Sequence, residues 1–146
     1  MRLSAKGRYA LAATIRMAEN YESGRRITVL ELSERLGISK IYLEQVFSML
    51  KLGDIVISTK GAQGGYVLSR HPNKITALDI LSCIETALFD QSESTVGDNA
   101  PDIERAIISS IYQPLDTQIN NILRAITLEQ LTTDAQKNRD GHMFYI

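Results

Sequence analysis

Between Thr28 and Leu68 the sequence sets two short helices, a tight turn and a glycine-rich hairpin in immediate succession, and few folds accept that order. The first of these helices opens at Thr28 with Glu31 three residues on, the spacing of a capping box. Val29, Leu30, Leu32 and Leu36 give it an apolar side. Gly37 ends it, because glycine takes the left-handed terminating conformation without a Cβ penalty. After Ile38, Ser39 is placed to cap a second helix over about residues 40–52, whose stripe is Leu43, Val46, Phe47 and Leu50 at i, i+3, i+4, i+7. The β-branched run Ile55-Val56-Ile57-Ser58-Thr59 follows, then Lys60-Gly61-Ala62-Gln63-Gly64-Gly65, then Tyr66-Val67-Leu68. Two strands around a glycine-rich loop make a hairpin, and a helix-turn-helix leading straight into a hairpin predicts a winged helix.

The flanks are helical. Residues 4–21 carry Leu11, Ile15 and Ala18 on one face, beside Ala10, Ala13 and Met17. Ser4 is the expected cap, Gly24 the stop, and Lys6, Arg8 and Arg16 lie on the polar side. Beyond the hairpin, His71-Pro72-Asn73 breaks the chain and Thr76 caps a helix from Ala77 to about Leu88. Residues 89–100 are polar and aperiodic, the pattern of a mobile loop. Pro101 suits the first turn of a long helix with Ile103, Ile107, Ile111, Leu115, Ile119, Ile122 and Ile126 in one stripe, and Pro114 should kink or split it. Thr127 with Gln130 starts a short helix to about Asp134, after which 137–142 read as a flexible tether. The expected fold is thus mainly α. A winged helix-turn-helix domain (1–75) precedes a helical linker and dimerisation region (76–136) and a C-terminal tail (137–146). Seven large aliphatics exceed what so small a domain covers alone, so Ile107, Ile111, Leu115, Ile119 and Ile122 are the expected homodimer seam.

Several function classes drop out. The single cysteine, Cys83, cannot make an intrachain disulfide or a cysteine-ligated metal site, and no metal or cofactor is expected. Its neighbours within four residues include no Lys or Arg to lower its pKa, so it reads as a small buried hydrophobe. His71 and His142 fall in a turn and in the tail, tied to no nucleophile. The glycine-rich loop precedes a strand, so no helix N-terminus would hold a phosphate. An enzyme is not expected. Without a membrane-length apolar run or a secretory leader, the chain is expected to be cytoplasmic.

Charge divides the chain. Residues 1–75 hold 12 Lys/Arg against 6 Asp/Glu, a net of +6; residues 76–146 hold 4 against 11, a net of −7, giving −1 for the whole. A basic winged helix fits double-stranded DNA, whose major groove admits a helix read from its N-terminal residues. Those residues are Ser39, Lys40, Tyr42, Glu44 and Gln45, with Gln suited to adenine and Glu to the cytosine amino group. Lys60 and Gln63 at the wing tip suit a minor groove, and Lys6, Arg8 and Lys51 suit phosphates.

Three motifs in order and spacing carry a resemblance. Met1-Arg2-Leu3-Ser4-Ala5-Lys6-Gly7-Arg8-Tyr9-Ala10, Ile38-Ser39 to Tyr42-Leu43-Glu44-Gln45, and Lys60-Gly61 to Gly64-Gly65-Tyr66-Val67-Leu68 resemble the Rrf-two family of bacterial winged-helix regulators. The likeness continues more weakly from Ile75-Thr76-Ala77-Leu78-Asp79-Ile80 to Ile126-Thr127-Leu128-Glu129-Gln130-Leu131. Iron–sulfur members place three cysteines before the long helix; residues 89–100 have none, so that inference does not carry over. Many members have Arg where this chain has Lys60, which lacks the planar guanidinium fork. The ending Met143-Phe144-Tyr145-Ile146 resembles the cluster-free branch that represses cysteine-metabolism genes. The resemblance then implies cysteine synthase (O-acetylserine thiol-lyase) as the partner taking that tail. Two alternatives stay open at this point: an adaptor that modulates cysteine synthase, and a repressor sensing a small ligand or redox state.

Overall fold

The computed structural model describes residues 2–62, 64–90 and 93–144, with side chains up to Gly141. Of the residues named above, Met1, Gln63, Tyr145 and Ile146 lie outside the described residues, as do the side chains of His142, Met143 and Phe144.

Helix α1 (Ala5–Glu19) opens at Ser4, whose hydroxyl accepts from the Gly7 N–H at 3.0 Å, and a 3₁₀ turn over Tyr21–Ser23 leads to left-handed Gly24. Helix α2 (Val29–Leu36) is capped by Thr28, which accepts from Glu31 N–H at 3.1 Å. The reciprocal half of the expected capping box is not made, because the Glu31 carboxylate instead takes Arg25 and Arg35, each at 2.8 Å. Gly37 ends α2 in the left-handed region, and α3 (Lys40–Leu52) follows. Ser39 occupies the cap position of α3 but its side chain makes no capping bond, and the residue is exposed. Strands β1 (Val56–Ser58) and β2 (Tyr66–Leu68) pair antiparallel, Val56 opposite Leu68. Ile27, on the approach to α2, adds a single bridge to Tyr66.

One apolar core runs through Ala10, Ala13 and Met17 of α1, Leu32 of α2, Leu43, Val46, Phe47 and Leu50 of α3, and Val56 and Leu68 of the hairpin. It continues beyond the hairpin through Ile75, Ile80 and Leu128. Helix α4 (Ala77–Ile84) is held by a complete Thr76/Asp79 capping box. It stops four residues short of the expected Leu88. The break is at Glu85, whose carboxylate accepts from both the N–H and the hydroxyl of Ser4 at 2.7 Å, after which α5 (Thr86–Phe89) restarts. A bond spanning eighty-one positions sets this break, so no local signal announces it.

Pro101 is the first residue of α6 (Pro101–Ile107), as expected. Helical backbone then continues through a π-turn over Ile108–Tyr112 into α7 (Gln113–Ala125). Pro114 therefore does not split the helix. The wider turn just before it absorbs the missing donor and the ring's clash with the preceding carbonyls. It also corrects the stripe. Steps of four on an α-helix drift about 40° each, so Ile103 to Ile119 would wander by about 160°, and one extra residue in the turn takes back about 100°. Thr127 accepts from Gln130 N–H at 3.1 Å, while the Gln130 amide turns to Asp134. Helix α8 runs Leu128–Phe144, ten residues beyond its expected end, so 137–142 are helical rather than a flexible tether. Arg139 pins that extension to Glu19 of α1 at 2.7 Å.

Candidate DNA interface

The exposed side of α3 is the inverse of its core stripe. Leu43, Val46, Phe47 and Leu50 are buried, which leaves Lys40, Ile41, Tyr42, Glu44, Gln45 and Ser48 facing out. Lys40 and Glu44 lie at i, i+4 with Nζ and Oε1 3.6 Å apart, an exposed pair. Such a pair is held weakly in water and can open for other partners. Tyr42 meets Tyr9 of α1, ring centroids 6.3 Å apart, and this contact fixes the N-terminal part of α1 against the exposed face of α3. Arg8 is exposed and Lys6 half-buried on that part of α1. Lys51 sits in the last turn of α3, about 16 Å along the axis from Lys40, so it does not join the N-terminal group.

The hairpin holds Lys60 at its outer end. Thr59 N–H donates to the Gly65 carbonyl at 2.8 Å, and Gly61, Gly64 and Gly65 have φ of 153°, 65° and 122°, values that L side chains rarely adopt. Two groups missed by the sequence reading belong here. Arg26 reaches across to donate from Nη1 to the Lys60 carbonyl at 3.1 Å. Tyr9 supports Tyr42. The dibasic Arg25-Arg26 step before Ile27 was the available signal, but Arg25 is taken by Glu31 and only the fold separates the two roles.

A second exposed surface is apolar. The described helix from Pro101 to Ala125 contains no buried residue, and Ile111 is 52% exposed, Leu115 54% and Ile122 58%. Ile107 and Ile119 are half-buried, α7 resting its C-terminal part on α4. A backbone clip closes that end: Ala77 N–H donates to the Ile126 carbonyl and Leu128 N–H to the Ile75 carbonyl, both at 2.8 Å.

A helix-turn-helix with its recognition face open, followed by a glycine-rich wing, defines a winged-helix DNA-binding regulator. Comparison with known proteins narrows the class. Residues 3–134 match the Rrf2 family, described as an iron-dependent transcriptional regulator. The HTH-type transcriptional regulator IscR of Pectobacterium atrosepticum is 32% identical over 136 residues, 93% of this chain and 82% of that one. Among solved structures, IscR of T. potens superposes with a TM-score of 0.72 at 30% identity, covering 94% of this chain and 90% of that chain. CymR of B. subtilis, described as its global cysteine regulator, superposes with a TM-score of 0.68 at 28% identity, covering 91% and 97%. The chain belongs to the Rrf2 family of transcriptional regulators. These relatives are regulators, not enzymes. Among the described residues no helix is long and apolar enough to cross a membrane.

The family's iron can be tested against the residues present. Iron–sulfur clusters are held by several thiolates, and this chain has one cysteine. Cys83 donates from Sγ to the Asp79 carbonyl at 3.2 Å and packs so closely on Gly53 that a Cβ there would run into it. Burial, then the neighbouring Asp79 carboxylate, pushes its pKa up, away from the thiolate a metal needs. No group of three His, Cys, Asp or Glu among the described residues is arranged for a metal ion. The donor set does not fit a cluster.

Proposed function

We propose that the chain is a homodimeric repressor of cysteine or sulfur metabolism genes, controlled by cysteine synthase. The observation that carries the DNA-binding part is the open N-terminal half of α3, with Lys40, Tyr42, Glu44 and Gln45 unburied beside a projecting wing. In this reading Ser39, Lys40, Tyr42, Glu44 and Gln45 face base edges in the major groove. Lys60 and Gln63 enter the minor groove, and Lys6, Arg8 and Lys51 hold phosphates. The exposed Ile111, Leu115 and Ile122, with Ile107 and Ile119 at the margins, pack against a second copy. That places two recognition helices on one duplex, as dimeric helix-turn-helix proteins require.

Two observations support the metabolic assignment: the similarity to CymR of B. subtilis, and the sequence Met143-Phe144-Tyr145-Ile146. Cysteine synthase takes these last residues. Gly141, a poor helix former, lies just before these residues and lowers the cost of unwinding the end of α8.

Selecting bound sites from random DNA tests the first part. Recovered sites should form an inverted repeat, with affinity falling steeply as salt rises; no enrichment, or salt-independent binding, would refute it. Calorimetric titration of cysteine synthase with a peptide covering Asp140–Ile146 tests the second. Heat that O-acetylserine abolishes supports the partner, and no heat removes it.

A further inference from the structure

The wing has little of its own to hold it. Its ladder is three residue pairs long, and beyond Thr59 and Gly65 the described backbone is tied by one bond, Gly64 N–H to the Gly61 carbonyl at 3.2 Å. Three glycines at positive φ add conformational freedom. A loop so built would sample many orientations, and ordering it on a nucleic acid would cost affinity. One side chain from outside the hairpin limits that freedom. Arg26 precedes Ile27, which is buried and pairs both ways with Tyr66, at 3.0 and 2.8 Å, so the Arg26 backbone is anchored in the core. Its stem passes Gly65, where a Cβ would lie 3.4 Å from the Arg26 Cβ. Its guanidinium passes Gly61, where a Cβ would lie 2.7 Å from Nη1, and donates to the carbonyl of Lys60. Both glycines thus leave room for Arg26 as well as bending the loop.

We propose that Arg26 is a positioning residue for the wing: by holding the Lys60 carbonyl it presets the direction in which the Lys60 side chain leaves the hairpin. The bond is charge-assisted and comes from a branch fixed at both ends of its path, so it restrains the arm even though it is exposed. Arg25 cannot substitute, since its guanidinium is engaged by Glu31. The inference rests on the reading that the wing contributes to DNA binding.

The test uses the full-length chain and a DNA site that it selects from random sequence, with Arg26→Met, which keeps most of the stem and removes the donors, Lys60→Ala, and the double variant. Backbone amide relaxation of Lys60, Ala62 and Gly64 is measured without DNA. Arg26→Met should leave thermal melting near that of the parent, loosen those three amides, and weaken binding roughly five- to tenfold, the scale of one hydrogen bond. Arg26→Lys, which can still reach the carbonyl, should recover part of both effects. In the Lys60→Ala background the binding penalty of Arg26→Met should shrink by more than half. Unchanged amide relaxation in Arg26→Met overturns the proposal. So does a penalty that persists undiminished beside Lys60→Ala and lowers the salt slope by about 1, which would make Arg26 a separate phosphate contact. If Lys60→Ala binds as the parent does, the wing reading is what fails, and the amide relaxation then decides Arg26 alone.

Discussion

Gly7 shows how one missing Cβ joins distant parts of this chain. It lies on α1 with ordinary helical backbone, where alanine would normally be better by about 1 kcal/mol. A Cβ there would run into the Glu85 carboxylate that grips Ser4. Gly7→Ala should therefore push the Glu85 carboxylate off Ser4 and destabilise the protein by about 1 kcal/mol, the two lost hydrogen bonds less the gain in helix propensity, and loosen the first turn of α1 that carries Lys6 and Arg8. In a Glu85→Ala background the same substitution should turn neutral or stabilising. Urea denaturation of the four variants reads the sign change, and additive effects would exclude the steric cause. Glu19 makes the second residue-scale prediction. Its side chain is only 13% exposed. Burial raises its pKa, but Arg16 and Arg139 together outweigh that and hold the carboxyl below its ordinary 4.5. The pairing contributes stability above the ordinary value and loses it as pH falls through the lower folded value. Glu19→Gln should flatten that part of the stability profile below about pH 4.5, measured by thermal melting across pH.

The elements were legible in the sequence where their signals are local. Thr28, Thr76, Gly37 and Pro101 each end or begin a helix as read, since a hydroxyl, a missing Cβ or a missing N–H acts on its own few neighbours, whereas α1 ends at Glu19 and Gly24 closes only the 3₁₀ turn after it. The fold class followed from their order. What stayed hidden depends on contacts far along the chain: the stop at Glu85, made by Ser4, and the last ten residues of α8, held by Glu19 against the cost of Gly141. The exposure of Lys40, Tyr42, Glu44 and Gln45 was legible because the buried stripe of α3 leaves them nowhere to face but outward. Arg26 was not, because its partner is thirty-four positions away. The Pro101–Ala125 helix carries its own prediction. Ile111→Glu with Leu115→Glu should give a monomer by sedimentation, because carboxylates in a seam of aliphatics lose water without gaining a partner. A double variant that still sediments as a dimer would locate the interface elsewhere.

At the scale of the molecule, a well-packed body carries a largely uncovered helix. The body has its own core from Ala10 to Leu128, whereas no described residue of the helix from Pro101 to Ala125 is buried in one chain. If a second copy supplies that missing burial, folding of the helix and assembly are one equilibrium, and melting temperature should rise with protein concentration. Scanning calorimetry over a hundredfold range checks this. A concentration-independent melt would mean that the helix is stable uncovered. The same division suits a DNA regulator, with the basic half of the sequence grouped in the body and the acidic half containing the uncovered apolar helix.

The π-turn over Ile108–Tyr112 can also be regarded as a one-residue insertion that the helix has absorbed. Removing it would not shorten the helix noticeably, only by about 1.5 Å, but would swing everything after it by about 100° relative to everything before. Ile103 and Ile107 would then point away from the plane of Leu115 and Ile122, although no side chain of the seam had been altered. Deleting Ser110 together with Pro114→Ala, which removes the ring that the turn accommodates, should consequently weaken dimerisation as severely as a charged substitution while leaving helix content unchanged. Sedimentation and circular dichroism together would read this, and an intact dimer would show that the seam lies wholly on one side of the turn. Reading frame along a helix, in this view, is as much a part of the interface as the identity of its isoleucines.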